Sequence, residues 1–113
     1  MKKTVFSYIW EYRVNQNYLE QFEKAYKPEG TWVQLFQKGD GYIFTELHRD
    51  IKVQNRYITV DYWKTEKHRD RFQKEFAKEF TALDKLCENF TTSETFIGDF
   101  NVAVPKKLTK NVL

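Results

Sequence analysis

The chain contains a single cysteine, Cys87, so neither an intramolecular disulfide nor a cysteine-ligated metal cluster can form. A reducing, cytoplasmic setting is the corresponding expectation. No apolar run approaches the length of a membrane span. The opening Met1-Lys2-Lys3 leads into a stretch holding Glu11 and Arg13 with no small-residue cleavage pattern, so neither a membrane anchor nor a signal peptide is expected. The sequon Asn89-Phe90-Thr91 would then have no secretory route to serve. Charge of one sign is nowhere gathered: 19 basic and 16 acidic residues are interspersed, and only Lys106-Lys107 with Lys110 is basic without acidic neighbours. A nucleic-acid partner needs a clustered basic face, and none is expected here. Glycine-rich phosphate loops, nucleophile elbows and zinc-ligand spacings are missing, which leaves nucleotide enzymes, serine hydrolases and zinc sites without support. Internal repeats and low-complexity tracts are also absent.

What is present is aromatic. Phe, Trp and Tyr make up 18% of 113 residues, a chain length suited to one core. Residues Thr4–Val14 are rich in β-branched and aromatic types, with Phe6, Tyr8, Trp10 and Tyr12 at a spacing of two, which predicts a strand with rings on one face. Asn17 can cap a helix with Glu20 reaching back, and Leu19, Phe22 and Tyr26 share its face. Pro28 and Gly30 end that helix. A short second piece from Thr31 aligns Trp32, Leu35 and Phe36 before Gly39-Asp40-Gly41 turns the chain.

The runs Tyr42–Arg49 and Arg56–Trp63 flank a polar loop, Asp50–Asn55, and predict an antiparallel hairpin. Pairing symmetric about that loop sets Glu46 opposite Thr59 and His48 opposite Tyr57. Ile43, Thr45, Leu47, Ile58, Val60 and Tyr62 then share the apolar face. Thr65 caps a long amphipathic helix carrying Phe72, Phe76, Phe80, Leu83, Cys87 and Phe90 on one stripe. Thr91–Phe100 supplies a last strand. Residues 1–100 are thus expected to form one domain and residues 101–113 a tail or arm that ends in Val112-Leu113.

This order predicts an α+β fold of ferredoxin-like β-α-β-β-α-β topology: a four-stranded antiparallel sheet with both helical layers on one face. The first-strand rings and the aliphatic hairpin set are expected under the helices. Ile9, Phe44, Tyr57 and Trp63 are expected on the opposite face among Glu11, Arg13, Glu46, His48, Thr59 and Asp61. That face is too apolar for open solvent and too charged for a dry core, so a homodimer formed through it is expected. Glu11, Arg13 and Asp61 would form an ion-pair network there or a polar site inside the dimer's barrel.

The element order and the segments YIWEYRV, YIFTELHRD and RYITVDYWKTE resemble the antibiotic biosynthesis monooxygenase family of dimeric α/β-barrel proteins, over roughly Thr4 to Phe100. The resemblance implies a cofactor-independent monooxygenase acting on a small phenolic or quinol aromatic, with no cofactor and no metal. It equally admits a non-catalytic domain that binds a small ligand or another protein. The family's haem-degrading branch uses an asparagine on the first strand with a tryptophan and a histidine on the last helix. Those places hold Tyr12, Phe72 and Ala82, so haem degradation is not expected.

Family members hold ligands on the helix-facing side of the sheet. The resemblance therefore nominates Tyr8, Trp10, Tyr12, Trp32, Tyr62 and Phe72 as substrate-binding residues, with plain core packing as the alternative. Tyrosine hydroxyls can orient a phenolate. Tyr12 and Tyr62 are the catalytic candidates from this set. His48 with Glu46, two residues apart on one strand face, forms the other, because a nearby carboxylate can raise a histidine into acid–base service; a structural polar pair in the dimer barrel is the alternative. His68 reads as an exposed helix residue, Cys87 as a small hydrophobe and Trp63 as a packing residue.

Overall fold

The computed structural model describes residues 4–105. Four strands form one antiparallel sheet: β1 (Thr4–Val14), β2 (Tyr42–Arg49), β3 (Arg56–Trp63) and β4 (Thr91–Ala103), in the order β2-β3-β1-β4. Helices α1 (Leu19–Tyr26) and α2 (Thr31–Phe36) fill the first crossover, and α3 (Glu66–Glu75) and α4 (Ala77–Cys87) the second. This is the expected ferredoxin-like α+β arrangement, with the helices on one face.

Alternation places Phe6, Tyr8, Trp10 and Tyr12 of β1 beneath the helices. Their direct partners on β3 are Trp63, Asp61, Thr59 and Tyr57. Directly opposed residues share a face, so these four also lie beneath the helices. Ile58, Val60 and Tyr62 therefore point outward, the reverse of the expectation for β3. The cause is a one-residue register difference in the hairpin: Glu46 pairs with Val60 and His48 with Ile58. A shift of one exchanges the two faces of a strand. Asp50 joins the ladder by donating its N–H to the Arg56 carbonyl at 2.9 Å, which shortens the loop to residues 51–55. Its carboxylate accepts from the Lys52 and Val53 N–H groups, and Asn55 takes the left-handed conformation at φ 63°. On β2 the expectation holds for Thr45 and Leu47, which face inward opposite Asp61 and Thr59, but a bulge between Tyr42 and Phe44 sets Tyr42 rather than Ile43 against the inward Trp63.

Three further details differ. Asn15, not Asn17, is the side-chain cap, and it caps a 3-10 turn (Gln16–Tyr18) that leads into α1. The long second helix is interrupted at Phe76, whose φ of −112° and ψ of 28° leave the helical region. β4 continues through Ala103, so the chain at 101–103 is strand, and residues 106–113 of the expected arm lie outside the described residues.

The core gathers at both ends of the helical layer. Phe22 of α1 is fully buried, stacks on Tyr26 and packs on Tyr12 and Tyr57. Phe72 of α3 meets Trp63 and Phe36. Gly41 turns the chain into β2 at φ +89°, where a side chain would also strike the His68 ring. His68 is correspondingly half-sheltered, with Nδ1 2.7 Å from the Thr65 hydroxyl.

Candidate functional site

Between those two packed ends the layer does not close. α4 contributes only Cys87 to the buried set, and α3 and α4 part at Phe76. A cavity of about 280 Å³ remains over the middle of the sheet. Its floor is made by Tyr8, Trp10 and Tyr12 of β1, Thr45 of β2, and Thr59 and Asp61 of β3. Tyr26, Trp32, Phe36 and Phe80 form the walls, and Gln73, Asp84 and Glu94 complete the lining.

Rings make up seven of the thirteen lining residues, and each follows from local pattern. The spacing of two on β1 aims Tyr8, Trp10 and Tyr12 into the cavity. The i, i+4 spacing of Trp32 and Phe36 turns both toward it from α2. Trp32 meets Phe80 edge-on at 5.0 Å, and Trp10 leans on Phe96 at 5.3 Å. The Trp32 Nε1 is buried without a well-aligned acceptor, beside the Tyr26 hydroxyl and the Cys87 thiol.

Asp61 is the chemical centre of the floor. It is 5% exposed, and its Oδ1 accepts a 2.6 Å hydrogen bond from the Thr45 hydroxyl, which lies 2.7 Å from the Tyr42 hydroxyl. Among the described residues its second oxygen has no protein partner. Burial pushes the carboxyl up to about 7, and the Thr45 hydrogen bond opposes the rise only in part. Such a group exchanges protons near neutrality. Burial raises Tyr8 and Tyr12 as well, followed for Tyr8 by the nearby Asp61, and carries both phenols well above their usual range. They remain protonated and can orient a ligand as donors, so neither is a base. Burial likewise raises Glu94.

Of the sequence-nominated residues, Tyr8, Trp10, Tyr12 and Trp32 come together here. Phe72 does not line the cavity; it is core, 2% exposed, between Trp63 and Phe76. Tyr62 lies on the outer face, where it stacks on Phe44 at 4.4 Å and donates to Glu46 Oε1 at 3.0 Å. Glu46 and His48 do pair, at 3.2 Å, but on that outer face and away from the cavity. The expected Glu11–Arg13–Asp61 network is divided between the faces: Glu11 binds Arg56 at 2.6 Å and Arg13 at 3.8 Å, while Asp61 lies beneath the helices. Ala82 is exposed. No group of three or more His, Cys, Asp or Glu among the described residues is placed to hold a metal ion.

Asp61 escaped the sequence reading because the symmetric hairpin turned it outward. The signal was still present: in RYITVDYW, Asp61 shares a period of two with Tyr57, Thr59 and Trp63. An isolated acid on the same alternating face as two large rings is a buried acid whenever those rings are core.

No family model and no curated protein matches the sequence. Solved structures do match. A Bordetella bronchiseptica protein named for the antibiotic biosynthesis monooxygenases superposes with a TM-score of 0.69 at 19% identity, over 88% of this chain and 98% of that one. SnoaB, a cofactor-independent oxygenase from Streptomyces nogalater, gives 0.62 at 15% identity, over 92% and 97%. A conserved protein from Methanosarcina mazei Go1 gives 0.68 at 12% identity, over 91% and 95%. At these identities the likeness is one of architecture, and the chain has the ferredoxin-like fold of structures named as antibiotic biosynthesis monooxygenases.

Proposed function

We propose that the chain binds a small electron-rich aromatic in this cavity and oxidises it directly with dioxygen, without a bound cofactor. The observation that carries the reading is Asp61: a buried carboxyl, poised near neutrality, on the floor of an aromatic-walled cavity. Asp61 takes the proton of a phenolic hydroxyl, and Tyr8 and Tyr12 hold the ring through hydrogen bonds and stacking. The resulting anion is electron-rich enough to reduce dioxygen. For a ring methylene the balance is CH2 + O2 → C=O + H2O: the carbon loses four electrons, one oxygen atom stays on it and the other leaves as water. Confinement between the aromatic walls orients the ligand.

SnoaB supports this reading by fold alone. Oxygen-electrode assays over a panel of one- and two-ring phenols and quinols should show uptake above a heat-killed control, lost in Asp61→Asn. Uptake that survives the substitution would remove Asp61 from the mechanism. One feature favours the second reading, binding without turnover: among the described residues no Lys, Arg or His lines the cavity, so none of them sets a cationic side chain against a developing phenolate. That reading expects thermal stabilisation by a ligand with no oxygen consumed.

We further propose that the protein works as a homodimer through its outer sheet face, within a reducing cytoplasm, and that the domain runs past the expected residue 100 to the end of β4 at Ala103. The outer face exposes Phe44, Ile97 and Phe100, and β4 is a long, mostly exposed edge strand.

A further inference from the structure

Among the described residues, the ionisable groups lining the cavity are all acids or phenols: Asp61 on the floor, Asp84 and Glu94 elsewhere in the lining, and three tyrosines. Arg69, the one buried cation among the described residues, serves elsewhere. Its guanidinium lies 4.9 Å from the Phe6 ring centre and 4.8 Å from that of Tyr8, and it pairs with Asp70 at 2.8 Å and Asp99 at 3.3 Å. Asp61 is thus a buried acid facing open space with, among the described residues, one hydrogen bond and no counter-ion.

A buried carboxylate left in this state is costly, and the cost is relieved when a cation enters beside it. Aromatic faces carry negative charge density and attract the same cation. An anionic ligand would instead meet three carboxyl groups, and a neutral one would leave Asp61 uncompensated. The volume limits size as well: about 280 Å³ is roughly twice the cavity of about 150 Å³ that accepts benzene, enough for one ring with a short arm or for two fused rings.

We infer that the ligand is a one- or two-ring aromatic carrying a protonated nitrogen, whose cation sits against Asp61 inside the aromatic walls. This rests on the reading of the cavity as the ligand site and adds the ligand's charge. With its ammonium against Asp61 such a ligand keeps any phenolic proton, so this occupancy belongs to the reading of the cavity as a binding site without turnover.

Three para-substituted phenols of matched size separate the cases: tyramine, para-ethylphenol and para-hydroxyphenylpropionate, carrying positive, zero and negative charge. Binding is followed by calorimetry and by Trp10 and Trp32 fluorescence at about pH 8, where Asp61 is ionised and the amine protonated. Tyramine should bind about tenfold more tightly than para-ethylphenol, with the propionate weakest. Asp61→Asn should erase the preference for tyramine. Wild-type protein alone supplies a second readout: between about pH 6 and 7, tyramine binding should release a proton and para-ethylphenol binding should not. Equal or tighter binding of the neutral or anionic phenol overturns the charge assignment while leaving the cavity as the site. If none of the three binds, the cavity reading itself falls, and the inference with it.

Discussion

Asp61 couples the site to stability. Unfolded, its carboxyl ionises near the ordinary value of 3.8; folded, burial holds it to about 7. Between those values the folded protein keeps a proton that the unfolded chain has released, so raising the pH favours unfolding across that window. The effect is on the order of 4 kcal/mol at full extent. Asp61→Asn, which keeps shape but cannot ionise, should flatten this slope and make the variant more stable than wild type at about pH 8. Urea denaturation at pH 4 and pH 8 checks the sign. Arg69 acts in the opposite sense. It is stacked on two rings and bonded by Asp70 and Asp99, so Arg69→Ala should lower stability by about 2 kcal/mol in the same assay. Both partner acids are exposed enough to remain hydrated, which keeps the loss from growing further.

The β2–β3 hairpin is the element that decides where Asp61 points. Its five-residue loop depends on Asn55 at φ 63°, with Asn55 Nδ2 donating to Gln16 Oε1 at 2.9 Å. A β-branched side chain opposes that conformation, whereas glycine accepts it. Asn55→Val should therefore cost roughly 1–2 kcal/mol, and Asn55→Gly should lie within a few tenths of wild type, measured by thermal unfolding. The interruption at Phe76 has the matching role on the helical side. It keeps the Phe76 and Phe80 N–H groups bonded to the Phe72 and Phe76 carbonyls while α4 lies loosely over the sheet.

The described residues form a slab, 46 × 35 × 22 Å, with their helices on one side of the sheet. Its outer face is not uniformly charged. Glu11 is taken up by Arg56 and Arg13, and Glu46 by His48 and Tyr62, while Phe44, Ile97 and Phe100 stay exposed. Internal pairing of the charges leaves those apolar groups as the surface available to a second copy. Phe44→Lys combined with Phe100→Asp should convert the proposed dimer to monomer at micromolar concentration. Sedimentation velocity of both proteins would show it, and a wild-type monomer would remove the proposal.

Element order, the inward rings of β1, the inward Thr45 and Leu47, the aromatic first crossover and the absence of nucleotide or zinc motifs were all determined by the sequence, because each rests on local periodicity and composition. The side of the sheet on which β3 places Asp61 and Tyr62 was decided only by the tertiary structure. That choice depends on a single residue of register, set by the ladder bond from Asp50 to Arg56 and the left-handed Asn55, and no periodicity within the strand reports it. The cavity is likewise tertiary. Phe72 and Phe80 look alike on one helical stripe, and only the departure at Phe76 assigns the first to the core and the second to the wall of the site.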